Sequence, residues 1–179
     1  DEDCDGQLND GILSVGAGNS LCAILSDGAV QCWGNDFYGL VSDVPTGTFT
    51  HVSTNGYKGC AIANDGSLHC WADNSGLVVP NGTFKQVSVG SSLSCAIQSD
   101  DLLQCWGYDN YGLISDAPNL PVSQIDINAY HACALLINGE MMCWGIDDGS
   151  NSDHGQSSSQ GGTYLDVSAA QVSSCALDS

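Results

Sequence analysis

Short apolar runs separated by polar turns recur along the chain and predict β-strands. The run at Cys22–Trp33 reads Cys-Ala-Ile-Leu-Ser-Asp-Gly-Ala-Val-Gln-Cys-Trp, and its pattern returns at Cys60–Trp71, Cys95–Trp106 and Cys133–Trp144. No segment keeps a helical period over about twelve residues. The pattern predicts an all-β chain of repeated hairpins with almost no helix.

The centre of each run has the composition of a tight turn. The midpoints are Asp27, Asp65, Asp100 and Asn138, and three of them precede glycine, whereas Asp100 precedes Asp101. Asp-Gly or Asn-Gly between apolar runs indicates a hairpin, because glycine accepts the positive φ of the turn. A three-residue loop places the two cysteines of each run opposite one another, within reach of a disulfide. The predicted disulfides are Cys22–Cys32, Cys60–Cys70, Cys95–Cys105 and Cys133–Cys143.

The same register pairs apolar residues next to each predicted disulfide. The pairs are Ile24 with Val30, Ile62 with Leu68, Ile97 with Leu103, and Leu135 with Met141. The other face of the first hairpin carries Ala23, Leu25 and Trp33, so the hairpin is apolar on both sides. Such a hairpin must lie between neighbours.

The segments between hairpins also repeat. Gly-Leu follows the hairpin at Gly39, Gly76 and Gly112, and paired apolar residues precede the next cysteine. These pairs are Phe49 and Val52, Phe84 and Val87, Val122 and Ile125, and Tyr164 and Val167. A repeat of about 38 residues with several short strands is typical of a propeller blade or a solenoid coil.

Charge and length restrict the classes of partner. The 179 residues suit a single domain, 1–179. The chain has 21 acidic residues and only two basic ones, Lys58 and Lys85, which gives a net charge of −19. We expect no nucleic-acid binding, because neutralising phosphates needs lysine and arginine. Two interpretations remain open: binding of a cation or cationic partner, or a surface kept soluble by its charge. No apolar run approaches the ~18 residues of a membrane span, and the acidic first residues do not resemble a signal peptide.

Ten cysteines, most of them in regular pairs, predict an oxidising, extracellular location. A zinc site is disfavoured, because zinc sites usually have closer cysteine spacing.

The first residues allow two interpretations. Asp1, Asp3, Asp5 and Gly6 match the start of a calcium loop, although Ile12 stands where the bidentate glutamate belongs. Alternatively, Cys4-Asp5-Gly6 aligns with Cys32-Trp33-Gly34, as the second half of a hairpin. Apart from this calcium candidate, no cofactor is expected.

No catalytic motif is present. The four histidines lie in no nucleophile or metal motif, and we expect a protein that is not an enzyme. Asn81-Gly82-Thr83 is a candidate glycosylation sequon. The polar insertion 146–163 is either a binding loop or a tolerated surface insertion.

The motif Cys-Ala-Ile-x-x-Asp-Gly-x-x-x-Cys-Trp-Gly followed by Gly-Leu resembles the repeat of the regulator of chromosome condensation family, and its paired cysteines resemble secreted bacterial members. The resemblance covers nearly the whole chain. It implies a β-propeller, usually of seven blades, that presents a protein-binding surface. Members include a nucleotide-exchange factor, a plant ultraviolet-B photoreceptor and a secreted β-lactamase inhibitor, so the fold does not define the function.

Here there are four full hairpins, 22–33, 60–71, 95–106 and 133–144, and two halves, 175–179 and 1–6. We expect the halves to form a fifth blade that closes the ring through Cys4–Cys175. The halves could instead join head to tail between molecules and form a filament. A third possibility is a fragment of a longer propeller.

The sequence therefore predicts an extracellular, non-catalytic, disulfide-stapled propeller that acts as a structural or adhesive subunit and can self-assemble. The alternative is a binding or inhibitory propeller that recognises a protein partner through its loops. Candidate contact residues in the loops after Cys-Trp-Gly are Phe37, Tyr38, Tyr108 and Tyr111, for which packing between blades is the other interpretation. No membrane insertion is expected.

Overall fold

A computed structural model describes residues 13–15, 20–72, 78–150, 152–159 and 161–178. Within these ranges the chain forms fourteen strands and two short 3-10 turns, Phe37–Gly39 and Asn110–Gly112. The strands are β1 (Leu13–Val15), β2 (Ser20–Ile24), β3 (Val30–Gly34), β4 (Phe49–Thr54), β5 (Gly59–Ala63), β6 (Leu68–Trp71), β7 (Phe84–Val89), β8 (Leu93–Gln98), β9 (Leu103–Gly107), β10 (Val122–Ile127), β11 (His131–Leu136), β12 (Met141–Gly145), β13 (Tyr164–Ala169) and β14 (Ser174–Asp178). No helix in the described ranges has the length and apolar character needed to cross a membrane.

The strands form antiparallel sheets in chain order. Among the described residues, β1–β3, β4–β6, β7–β9 and β10–β12 make four three-stranded sheets, and β13–β14 make a fifth with two strands. The first strands of successive sheets, β1, β4, β7, β10 and β13, are called the inner strands. Each inner strand from β1 to β10 packs beside the next one. Repeated antiparallel sheets joined in this way form a β-propeller.

The hairpin register is the one that the turns predict. Cys22 lies opposite Cys32, Ile24 opposite Val30, and the other three hairpins follow the same scheme. The structure contains the four disulfides Cys22–Cys32, Cys60–Cys70, Cys95–Cys105 and Cys133–Cys143. In the third hairpin Asp101 takes φ 71°, where the other hairpins have glycines at φ 83–85°.

The core lies between neighbouring sheets. Ile62 of one sheet, for example, packs with Phe84 and Val87 of the next, and all three side chains are buried. Leu40 and Leu113 of the Gly-Leu motif are fully buried as well. A hairpin that is apolar on both faces is therefore covered by a sheet on each side.

The N-terminal residues that were expected to close the ring are not among the described residues. Asp1, Asp3, Cys4 and Asp5 lie outside the described residues, and so do the calcium loop and the Cys4–Cys175 bridge. The number of blades in the complete propeller remains a prediction.

Candidate functional site

A cavity of about 400 Å³ opens where the inner strands β4, β7, β10 and β13 end. We call it the central cavity. Its walls are mostly small and polar, and include Ser53, Ser88, Asp126 and Ser168 from matching positions on the four strands. Tyr57 lines it from the turn between β4 and β5.

These polar side chains join the sheets. The Ser53 hydroxyl accepts the Val89 N–H at 3.1 Å, and the Ser88 hydroxyl accepts the Ile127 N–H at 3.0 Å. Asp126 at the next position accepts the Ala169 N–H at 2.8 Å. The same position on three inner strands therefore holds the next strand in register.

Asp126 is committed to this structural role. One carboxylate oxygen accepts the Ser88 hydroxyl and the other accepts the Ser168 hydroxyl, both at 3.1 Å. Both carboxylate oxygens therefore hold side chains of neighbouring inner strands.

A second row of side chains makes the same kind of link. The Gln86 amide donates to the Ile125 carbonyl at 3.1 Å and accepts the Ile125 N–H at 3.3 Å. Gln124 does the same with Val167, at 3.0 and 3.2 Å. His51 occupies the equivalent position on β4 and bonds the Val87 carbonyl at 3.0 Å. Burial lowers the pKa of His51, while the Val87 carbonyl opposes this shift.

His131 and Ser174 form a contact that resembles part of a catalytic triad. His131 Nε2 lies 2.8 Å from Ser174 Oγ, and the Ser174 hydroxyl donates to the Gln156 carbonyl at 3.1 Å. The Gln156 carbonyl can only accept, whereas the role of Nε2 towards Ser174 depends on the histidine tautomer. Burial lowers the pKa of His131, and Asp126 opposes the shift. The contact joins the fourth sheet, which carries His131, to the fifth sheet, which carries Ser174.

The two other kinds of candidate site are a metal centre and a glycosylation site. No group of three or more metal-ligating side chains occurs among the described residues. Asn81 lies exposed before β7, and its modification stays a prediction.

The predicted aromatic residues lie at the loops after β3 and β9. Tyr38 is 59% exposed, Tyr108 57% and Tyr111 45%. The Phe37 side chain lies outside the described set. Two further tyrosines were missed by sequence reasoning: Tyr57 contacts Tyr38, with ring centroids 6.3 Å apart, and Tyr130 contacts Tyr111 at 5.8 Å.

The fifth sheet has a feature that the other sheets lack. Cys175 on β14 faces Ser168, as Cys60 faces Ser53 and Cys95 faces Ser88. Cys175 is exposed, and it forms no disulfide with any cysteine in the part of the chain that the structure describes. Among the described residues, β14 pairs only with β13, whereas its counterparts lie between two strands.

The repeat has a match among known families. Residues 122–156 match the model described as Regulator of chromosome condensation (RCC1) repeat. The chain contains a regulator of chromosome condensation repeat. In this structure the matched repeat is the fourth sheet with the insertion that follows it. No curated protein matches the sequence.

Solved structures share the fold. The ectodomain of the Physcomitrella patens receptor kinase CR4 superposes with a TM-score of 0.73 and 21% identity, over 94% of this chain and 50% of that one. The CRINKLY WD40 ectodomain of the Arabidopsis thaliana receptor kinase ACR4 gives 0.64 and 26%, over 75% and 50%. Yeast RCC1 (Prp20), solved bound to Kap60, gives 0.67 and 13%, over 94% and 54%. The chain thus spans about half the length of each of these propellers.

Proposed function

We propose that this chain is an extracellular, non-catalytic propeller that acts as a structural or adhesive subunit by completing its fifth sheet with an added strand. The observation that carries the proposal is that, within the described ranges, β14 pairs only with β13 and Cys175 forms no disulfide. An open edge presents unpaired N–H and C=O groups, which another strand can pair with.

The position of Cys175 defines the strand that fits. In the other sheets the matching cysteine is bonded to a cysteine on the third strand, with a Cα–Cα distance of 4.0–4.1 Å. A strand that completes β14 therefore needs a cysteine opposite Cys175. Cys4-Asp5-Gly6 has the sequence pattern of such a third strand, so we assign the edge to residues 1–6. Supplied by the same chain, these residues close a ring; supplied by the next copy, they extend a filament.

Other observations support an extracellular, non-catalytic role. Four disulfides require an oxidising compartment to persist, and two of the similar structures are receptor ectodomains. His131 and Asp126, the residues that most resemble catalytic groups, are occupied in joining sheets.

The test is intact mass and gel mobility without reductant, on the wild type and the Cys175→Ser variant. Filament formation gives a ladder that disappears on reduction and in Cys175→Ser. A closed ring gives a monomer lighter than the reduced chain by one hydrogen per cysteine, which supports the strand assignment but contradicts self-assembly. A monomer with two free thiols contradicts both.

A second function is favoured by the two tyrosine pairs, in which Tyr38, Tyr57 and Tyr111 are exposed. We propose that the loops carrying Tyr38, Tyr57, Tyr111 and Tyr130 recognise a protein partner. Exposed aromatic rings are enriched in protein interfaces, and yeast RCC1 was solved with a bound protein, Kap60.

A further inference from the structure

The two tyrosine pairs belong to one motif that occurs twice. Asp36–Asp43 reads Asp-Phe-Tyr-Gly-Leu-Val-Ser-Asp, and Asp109–Asp116 reads Asp-Asn-Tyr-Gly-Leu-Ile-Ser-Asp. We call these segments the tyrosine turns. They follow the first and third sheets, and each tyrosine contacts a tyrosine of the next sheet.

Both turns hold their tyrosine in a left-handed backbone conformation. Tyr38 has φ 63° and Tyr111 has φ 59°, values that are uncommon for a bulky side chain. The first aspartate stabilises each turn by accepting two backbone N–H groups: Asp36 from Val41 and Ser42, and Asp109 from Ile114 and Ser115. Such conformations persist only where the surroundings impose them, so both turns position their tyrosines in the same way.

The rings remain accessible although they touch. The Tyr38 and Tyr57 rings meet edge to face at 65°, and more than half of each side chain is exposed. Tyr111 and Tyr130 meet at a tilt of 55°, and Tyr111 is 45% exposed whereas Tyr130 is half-buried. An edge-to-face pair leaves a ring face available for a ligand.

The charges around these rings are negative. The backbone N–H groups of Val41 and Ile114 lower the pKa of Asp36 and Asp109, respectively, so both carboxylates are ionised at neutral pH. A second aspartate lies against the glycine after each tyrosine, Asp43 at Gly39 and Asp116 at Gly112.

The two lysines of the chain are engaged elsewhere. Lys58 follows Tyr57 but is buried and donates to the Leu93 carbonyl at 3.3 Å. Lys85 pairs with Asp101 at 2.6 Å.

We propose that each tyrosine turn, with the tyrosine it contacts, binds an arginine or lysine side chain from a basic segment of a partner protein. A cation over an aromatic face is attracted by the ring quadrupole, and the adjacent aspartates complement its charge. The inference names the partner chemistry of the loop recognition proposed above, and it rests on that proposal. Two such sites per chain would favour a partner with two basic positions, by avidity.

The test uses a synthetic peptide of alternating arginine and serine, and the same peptide with glutamine in place of arginine. Binding is measured by calorimetry at physiological salt. We expect the arginine peptide to bind, and Tyr38→Ala with Tyr111→Ala to weaken it about three- to tenfold. These substitutions leave the net charge unchanged, so general attraction to the acidic surface is retained.

Two control variants identify the contact. Tyr38→Phe with Tyr111→Phe keeps both ring faces and should bind within about twofold of wild type. Tyr108→Ala removes an exposed tyrosine outside both pairs, and should also leave binding within about twofold of wild type.

The outcomes separate the two proposals. Equal, tyrosine-dependent binding of the glutamine peptide would contradict the basic partner and leave loop recognition standing. Arginine-peptide binding that is equally strong without Tyr38 and Tyr111 would show nonspecific charge attraction and overturn the inference. If neither peptide binds, the tyrosine turns are not a peptide site, and both proposals for this surface are wrong.

Discussion

The indole nitrogen of Trp71 donates a hydrogen bond to the main-chain carbonyl of Leu40 at 2.9 Å, across 31 positions of sequence. The same relation recurs between Trp144 and Leu113, at 3.0 Å and again across 31 positions. Each tryptophan therefore satisfies a carbonyl in the Gly-Leu segment that follows the preceding sheet. In these two cases the bond ties the Cys-Trp motif of one repeat to the Gly-Leu motif of the repeat before it.

Trp71→Phe should lower the free energy of unfolding by about 1–3 kcal/mol, because the buried Leu40 carbonyl loses its donor. Trp144→Phe should have a similar effect. Denaturant titration followed by circular dichroism measures both. Tyr108→Phe, which alters an exposed ring, should stay within about 0.5 kcal/mol of wild type. An unchanged midpoint in both tryptophan variants would contradict a stabilising role for the bond.

Asp101→Gly should raise the stability, because Asp101 has φ 71° where the other hairpins have glycine. Relief of this strain is expected to contribute about 0.5–1 kcal/mol. The substitution also removes the exposed ion pair with Lys85, which typically contributes about 0–1 kcal/mol. Thermal melting of Asp101→Gly and Asp101→Asn separates the two effects, since asparagine tolerates the left-handed region and lacks the charge.

The reverse change is the matched control. Gly66→Asp puts aspartate at φ 83° and should lower the stability by a similar amount. If Asp101→Gly melts below Asp101→Asn, backbone strain at this turn is smaller than the cost of glycine in the unfolded chain.

Removing a hairpin disulfide should lower the free energy of unfolding. Cys60→Ala with Cys70→Ala removes a bridge between residues 10 positions apart, which is expected to lower the free energy of unfolding by about 2–3 kcal/mol. Cys95→Ala with Cys105→Ala removes a bridge that closes a loop of the same length, and should lower the free energy of unfolding by a similar amount. Denaturant titration measures both losses. A loss in both below about 0.5 kcal/mol would show that the turn and the apolar pairs suffice to hold the hairpin.

The hairpins were predictable because their determinants are local. An Asp-Gly turn and two cysteines fix which residues face one another, so the Ile24–Val30 and Ile62–Leu68 pairs followed from spacing alone. The apolar residues Phe84 and Val87 also predicted a short strand, and both are buried.

The contacts between sheets were not predictable in the same way. In a strand where polar and apolar residues alternate, Gln86 and Gln124 look like residues that face solvent. Their amides instead form hydrogen bonds with the next inner strand. Tyr57 and Tyr130 gave no local signal, because each pair forms across two sheets. Only their recurrence at the same position of alternate repeats could have identified them.

Stability should fall as the pH drops below about 6.5, the usual pKa of an unfolded histidine. Burial lowers the pKa of His131 and His51 in the folded protein, so the unfolded chain binds protons first. The stabilisation is therefore present above pH 6.5 and is lost as the pH falls. Asp126, beside His131, opposes this effect without reversing it.

The prediction is tested by unfolding wild type, His131→Leu and His51→Gln between pH 5 and 8. Leu93 occupies the position of His131 in the third sheet, and Gln86 that of His51, so the fold accommodates both replacements. Each variant should flatten the pH dependence, by at most about 1.4 kcal/mol per pH unit for each histidine. The double variant should have a smaller pH dependence than either single variant. A double variant that retains the wild-type slope would assign the pH dependence to groups other than these two histidines.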